Sequence, residues 1–241
     1  MRLGIMQPYF FPYVGHFSLI AACDEWIVFD TSQYTPKGWM NRNRVLHPGG
    51  GATWMTVPLS NGSIHIPASA AKVGDVPRAR RSVLGQLSHY RNAPYYAVVT
   101  SLVRDVFADP DPSLTALNLR GLVAVCSYLG LPFRARRCSD LGLDLPERLP
   151  PGGWAPHLCG ALGARSYVNP VGGRHLFNPA DFAGQGVELR FLAARPFTYA
   201  TGTHPFQPQL SIVDALMWNP PERVRAAVED YALLRPGDLD A

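Results

Sequence analysis

Lysine is nearly missing from this chain: of its 22 basic residues only Lys37 and Lys72 are lysines. The arginines that take their place form only short runs, Arg78, Arg80 and Arg81, then Arg134, Arg136 and Arg137. Neither run is interleaved with aromatics as a stacking platform for single strands would be, and DNA is not an expected partner. Cysteine is equally sparse. The four, at 23, 126, 138 and 159, contain no C-x-x-C pair, which excludes a zinc site built from cysteines, and no metal site is expected. No apolar run approaches the roughly 20 residues that span a bilayer, so no membrane partner is expected. The opening residues reach Gln7-Pro8 before any apolar signal core develops. The reading therefore places the protein in the cytoplasm, with its thiols reduced. No serine lies in a G-x-S-x-G elbow, and neither Cys23, Cys138, Cys159 nor Ser139 has a neighbour in sequence that would activate it. Internal repeats and low-complexity stretches are also lacking.

Turn-formers and apolar residues are plentiful instead. Of 241 residues, 22 are glycine and 23 proline, and 47% are hydrophobic. A chain of this size buries roughly 70% of its unfolded surface, enough for a core without staples, and the Gly/Pro content predicts long ordered loops. The net charge of +4 reads either as a preference for arginine codons or as a surface suited to phosphorylated ligands, which guanidinium forks grip in bidentate fashion.

The pattern along the chain predicts a strand at Leu3–Met6, a helix from near Gly15 to Ala22, and a buried strand at Trp26–Phe29. That strand–loop–helix–strand opening builds parallel sheets. A third strand is expected at Thr53–Val57, paired with Ile64–Ile66 across the Asn61-Gly62 turn. Helices are predicted over 76–91, 94–107 and 113–129, with strands at Phe133–Cys138, Ser166–Val168 and Val187–Leu192. Two short helices are predicted, His157–Gly163 and Ser211–Trp218, the second with Ser211 as its N-cap. The fold class is α/β, with a Rossmann-like parallel sheet of the HUP/nucleotidyltransferase kind in the N-terminal half and a mostly helical C-terminal part. One domain is expected over 1–234, with a possible subdomain joint near 142–153, and 235–241 reads as a fraying tail.

Three stretches carry the candidate chemistry. The loop Gln7-Pro8-Tyr9-Phe10-Phe11-Pro12-Tyr13-Val14-Gly15-His16 joins a strand to a helix and resembles the nucleotidyltransferase signature F-x-P-x-H-x-G-H, with Tyr13 where the first histidine belongs. A helix N-terminus offers free N–H groups to phosphate; Gly15 would allow close approach and His16 could donate. The alternative is that His16 only packs on the aromatic loop. The second stretch runs from Asp30, at the carboxyl end of a central strand where ligands bind in open sheets, through Lys37, Trp39, Arg42, Asn43 and Arg44. It reads as a clamp for phosphate or carboxylate, or as a basic turn anchored by Trp39. In the third, Ser211 and Asp214 obey capping-box spacing and Asn219 reads as a C-cap, and all three are carried as candidate binding residues.

The same stretches resemble the WbqC-like family: I-M-Q-P-Y-F-F-P-Y-V-G-H-F at 5–17, G-W-M-N-R-N-R at 38–44, Y-R-N-A-P-Y-Y at 90–96, G-A-R-S-Y-V-N-P-V-G-G at 163–173 and L-S-I-V-D-A-L-M-W-N at 210–219. The resemblance implies a glycyl, other aminoacyl or acyl transfer onto an amino group, for example of an amino sugar or a natural-product intermediate. Asp30 or His16 would be the base, Arg42, Asn43 and Arg44 would hold a phosphate, and Tyr9 or Trp39 would stack on a ring, with Gln7 and Lys37 nearby. The acyl donor would be an adenylate made with ATP and magnesium, a tRNA or a carrier protein. The competing readings are a binding module for a nucleotide-linked intermediate and a nucleotidyltransferase.

Overall fold

The computed structural model describes residues 1–239. Strand β1 (Arg2–Met6) leads through the aromatic loop into helix α1 (Val14–Ala21) and strand β2 (Glu25–Val28), which pairs with β1 in parallel. Next comes the hairpin β3 (Arg42–Leu46) and β4 (Ala52–Thr56), a separate antiparallel pair in which Arg44 faces Trp54. Its turn uses Gly50 and Gly51 at φ of 100° and 76°, values that glycine alone adopts without strain. Helices α2 (Val76–Gln86), α3 (Tyr96–Val106) and α4 (Leu114–Leu129) follow, as the periodicity predicts. Asp75 and Ser113 cap α2 and α4 by accepting from backbone N–H groups.

The remainder alternates: β5 (Ala135–Arg137), α5 (Trp154–Ala161), β6 (Ser166–Pro170), α6 (Pro179–Ala183), β7 (Glu188–Ala194), α7 (Ile212–Trp218), α8 (Pro221–Glu229) and β8 (Tyr231–Leu234). The main sheet has the order β5-β2-β1-β6-β7-β8, parallel except for β8. The fold is thus mixed α/β around a mostly parallel six-stranded sheet. The expectation of a mostly helical C-terminal part is corrected: β6, β7 and β8 supply half of the sheet. Two further expectations change. Residues 64–66 form no strand, and β4 pairs with β3 instead, because 42–46 alternates as a strand whose outer face is charged. The segment 235–239 is not frayed: Pro236–Leu239 forms a 3₁₀ turn, Arg235 N–H donates to Asp238 (2.7 Å), and Leu239 packs on the core. The last two residues of that expected tail, 240 and 241, lie outside the described residues.

Period-two alternation sends side chains to two cores. Trp26, Val28, Val168 and Leu192 face the larger one, with α1, α3, α4, α7 and α8; Leu3, Ile5, Ile27, Tyr167 and Phe191 face the smaller, with α5 and α6. Gly4 is required by this packing. It stands opposite Trp26, and a Cβ there would lie 2.7 Å from the indole and 2.8 Å from Cys23 Sγ. Gly4→Ala is therefore expected to lower the unfolding free energy by about 1–3 kcal/mol, read as a shift of the urea midpoint at unchanged slope. An unshifted midpoint would mean that the indole has room to move.

Candidate functional site

The strand order reverses at β1: the chain runs from β1 outward to β2 and β5, then returns to β6 on the other flank. Open α/β sheets bind ligands in the crevice outside the carboxyl ends at such a switch. A cleft lies there. Its larger chamber, about 650 Å³, is bounded by Gln7 after β1, Phe29 after β2, Asn169 and Gly173 at the end of β6, and Trp154 of α5. Its smaller chamber, about 260 Å³, is bounded by Tyr13, His16, Trp39, Asn43, Arg44 and Gln209. Met6, Tyr9 and Pro170 line both, so the chambers adjoin with Tyr9 at the junction.

The aromatic loop forms the floor between the chambers, and its backbone is held from four directions. Asn43 Nδ2 donates to the carbonyls of Phe10 (3.1 Å) and Phe11 (2.9 Å), Ser211 Oγ donates to Phe11 O (2.7 Å), and Asn118 Nδ2 donates to Pro8 O (2.8 Å). Ile212 N–H donates to Pro12 O (2.8 Å) and Phe10 N–H to Trp39 O (2.9 Å). Phe11 is buried at φ 39°, in the left-handed region that non-glycine residues avoid, so these bonds hold a strained turn in place.

Several predicted residues meet in the cleft. Tyr9 donates to Gln7 Oε1 (3.3 Å), Gln7 Nε2 donates to Ser32 Oγ (3.1 Å), and burial together with the neighbouring Tyr13 raises the Tyr9 pKa. Arg44 sends Nη2 to Gln209 O (3.4 Å), while its Nε is buried with no hydrogen-bond partner. His16 is buried against the rings of Tyr9 (5.7 Å) and Trp26 (5.1 Å), and its Nε2 likewise has no partner. Burial drives its pKa down to about 3. The imidazole thus stays neutral throughout the physiological range and is too weakly basic to hold a proton as a general base. Trp39, 40% exposed, lines the small chamber and packs at a tilt against Trp54 (5.4 Å between ring centroids). Gly15 faces elsewhere. It lines neither chamber, and the Tyr13 ring occupies the space beside it, since a Cβ would lie 2.6 Å from that ring.

Other predicted residues are corrected. Asp30 is fully buried and lines neither chamber; its carboxylate accepts from Ser139 N–H (2.9 Å) and Ser139 Oγ (2.7 Å), which fixes the end of β5 and leaves it unavailable as a base. Lys37 is exposed away from the cleft, at φ 59°. Arg42 donates to the carbonyls of Lys37 and Gly38 and covers the Trp54 ring at 3.8 Å, so it closes the turn before the hairpin. Asn43, which does line the small chamber, commits its amide to the loop.

The predicted residues of the closing block line neither chamber, and each bonds within the protein. Ser211 caps α7, accepting from Val213 N–H (3.3 Å), and Asn219 Nδ2 donates back to Ala215 O (2.8 Å). Asp214 does not complete a capping box: its carboxylate accepts from the hydroxyls of Tyr90 (2.6 Å) and Tyr199 (2.5 Å). Tyr90 in turn accepts from Leu46 N–H (2.8 Å), tying α7 to the hairpin.

Sequence reasoning missed Trp154, Glu147, Arg148 and Asn169 on the large chamber. The Gly172-Gly173 pair after β6 was the available signal: a Cβ at Gly173 would lie 2.3 Å from Asn169 Nδ2. Among the described residues Glu147 is the one carboxylate on either chamber wall. Cys23, Cys126 and Cys159 are free, with pKa values pushed up to about 12 by burial, so they are inert thiols. Among the described residues no helix is long and apolar enough to cross a membrane.

A model of the WbqC-like protein family matches residues 7–226. An uncharacterized protein of Mycobacterium tuberculosis is 28% identical over 237 residues, covering 95% of this chain and 96% of the relative. No solved structure matches.

Two outcomes are expected. Asn43→Asp keeps the shape but turns a carboxylate toward two carbonyl oxygens, and should cost about 3 kcal/mol in denaturant unfolding; retention of full stability would remove the loop clamp from this account. Burial raises the Asp214 pKa from 3.8 to about 6, outweighing the two tyrosine donors. The folded state therefore binds that proton more tightly than the unfolded state. The associated stability is complete below about pH 4 and is lost as pH rises through about 6, amounting to at most about 3 kcal/mol. Asp214→Asn, which cannot ionise, should melt with less decline than the parent between those pH values; parallel curves would refute the shift.

Proposed function

The chain belongs to the WbqC-like protein family, and we propose that it forms an amide bond on the amino group of a small molecule, transferring an aminoacyl or other acyl group within the two-chambered cleft. The observation that carries this reading is the pairing of unlike chambers. The small one holds the buried, unpartnered Nε of Arg44, while the large one is walled mainly by apolar side chains. A donor with a phosphate or carboxylate would set its anion on Arg44, since guanidinium–anion bonds are about twice as strong as neutral ones. Its carbonyl would reach the junction at Tyr9, a phenol kept protonated by burial, whose single O–H would turn from Gln7 Oε1 (3.3 Å) to the developing oxyanion. The amine would approach from the large chamber and release its proton to Glu147 as the new C–N bond forms, and the donor's acyl–oxygen or acyl–sulfur bond would break, its electron pair leaving on the phosphate, tRNA hydroxyl or carrier thiol.

The mostly parallel sheet and the cleft at its switch point also support a Rossmann-like nucleotide site, in which the protein activates the acid with ATP. Among the described residues no three His, Cys, Asp or Glu side chains converge on a metal. Magnesium would then arrive on the phosphates and neutralise their charge. A ready-made donor on tRNA or a carrier protein fits the same chambers.

The second reading is a binding module for an anionic intermediate. It is favoured by His16, whose neutral, unpartnered imidazole suits hydrogen bonding and not proton transfer.

Mass spectrometry of reactions that offer a test amine with amino acid and Mg·ATP, with aminoacyl-tRNA or with an aminoacyl carrier protein decides among these. Amide product is expected from one donor, with kcat/KM lowered roughly 10- to 100-fold in Arg44→Ala. No product from all three donors sinks the transferase reading in favour of the binding module.

A further inference from the structure

Most of the uncharged polar side chains on the large chamber wall already bond within the protein. Gln7 bonds Ser32 and accepts from Tyr9, and Ser32 Oγ donates to Phe29 O (2.8 Å). Tyr167 donates to Asn169 Oδ1 (3.1 Å), whose Nδ2 donates to Pro170 O (3.1 Å). Thr31 donates to Cys138 Sγ (3.4 Å), and Gln33 to Ile64 O (2.5 Å). Between them stand apolar surfaces: the Phe29 and Trp154 rings, 5.6 Å apart, with Leu149, Leu176 and Phe177. Leu176 remains exposed although it is a large apolar residue. Glu147 and Arg148 are the charged groups on this wall, both exposed, and neither forms an ion pair with another described residue.

We propose that the large chamber takes an apolar or aromatic amine, its ring against Phe29, Trp154 and Leu176 and its ammonium at Glu147, in place of an amino sugar. The assignment rests on the acceptor reading of that chamber. It follows from solvation. A sugar hydroxyl that left water for this wall would face mostly carbon, and each one left unsatisfied costs about tenfold in affinity or more. An apolar ring loses nothing there and removes the exposed Leu176 surface from water. One carboxylate at the rim answers one ammonium. A few charged groups, here Glu147 and Arg148, over a mainly apolar wall are the usual composition of a small-molecule pocket.

The test is binding without any donor, so it stands apart from whether an amide is ever made. Titration calorimetry of the full chain with 2-phenylethylamine, 2-phenylethanol and glucosamine should rank the phenyl amine first and glucosamine last. Glu147→Gln should weaken 2-phenylethylamine about tenfold and bring it level with the alcohol. Leu176→Ser, at an exposed position whose change should leave folding intact, should weaken both phenyl ligands by several-fold while sparing glucosamine. Glucosamine binding as tightly as the phenyl amine, 2-phenylethylamine binding unaltered by both substitutions, or no binding of it at all would overturn the assignment. Tight phenyl-amine binding with no amide from any donor would retain it and sink the transferase reading alone.

Discussion

Everything at the cleft depends on how the carbonyl groups of the Pro8–Pro12 turn are satisfied. The turn lies in the interior, where helix and sheet cannot supply its partners, and an unpaired carbonyl there costs about as much as a lost hydrogen bond. Asn43 from the hairpin, Asn118 from α4, and Ser211 with Ile212 at the start of α7 provide them. Because these donors come from distant parts of the chain, the loop holds its shape only when hairpin, helices and sheet are all in place. The result is a rigid floor that sets Tyr9 between two chambers and tolerates a left-handed Phe11.

This dependence explains which features were legible in the sequence. The core strands and helices were, because Trp26-Ile27-Val28 and the 94–107 and 113–129 segments carry plain period-two and period-3.6 patterns. β8 and α8 were missed because Tyr231–Leu234 is half-buried at an edge and α8 begins on a proline pair that reads as a turn. At the site, the aromatic loop, Trp39 and Arg44 were recognised by their unusual density of rings and donors. Polarity alone could not separate residues that face a ligand from those that bind backbone. Asp30, Arg42, Ser211 and Asp214 have the chemistry of site residues, and the interior consumes it. Conversely, the large chamber is walled by Phe29, Trp154 and Leu176, whose types look like core in any sequence.

The division of labour within the cleft is physical. Charge sits at its two ends, Arg44 in the small chamber and Glu147 at the rim of the large one, while the middle is aromatic and apolar. At the buried Nε of Arg44 a charge interacts more strongly with its partner than it would in water, whereas Glu147 stands exposed at the rim. The His16 imidazole, neutral at any physiological pH, adds a polar contact without adding charge.

The margins of the main sheet have a bearing beyond the cleft. β5 ends one side after three residues, and two of them are arginines paired with Glu25 and Asp140. β8 ends the other side after four, reversed in direction. Both borders are short and the β5 one is charged, so a foreign strand finds little to zip onto. The edges thereby disfavour growth of the sheet from one molecule to the next.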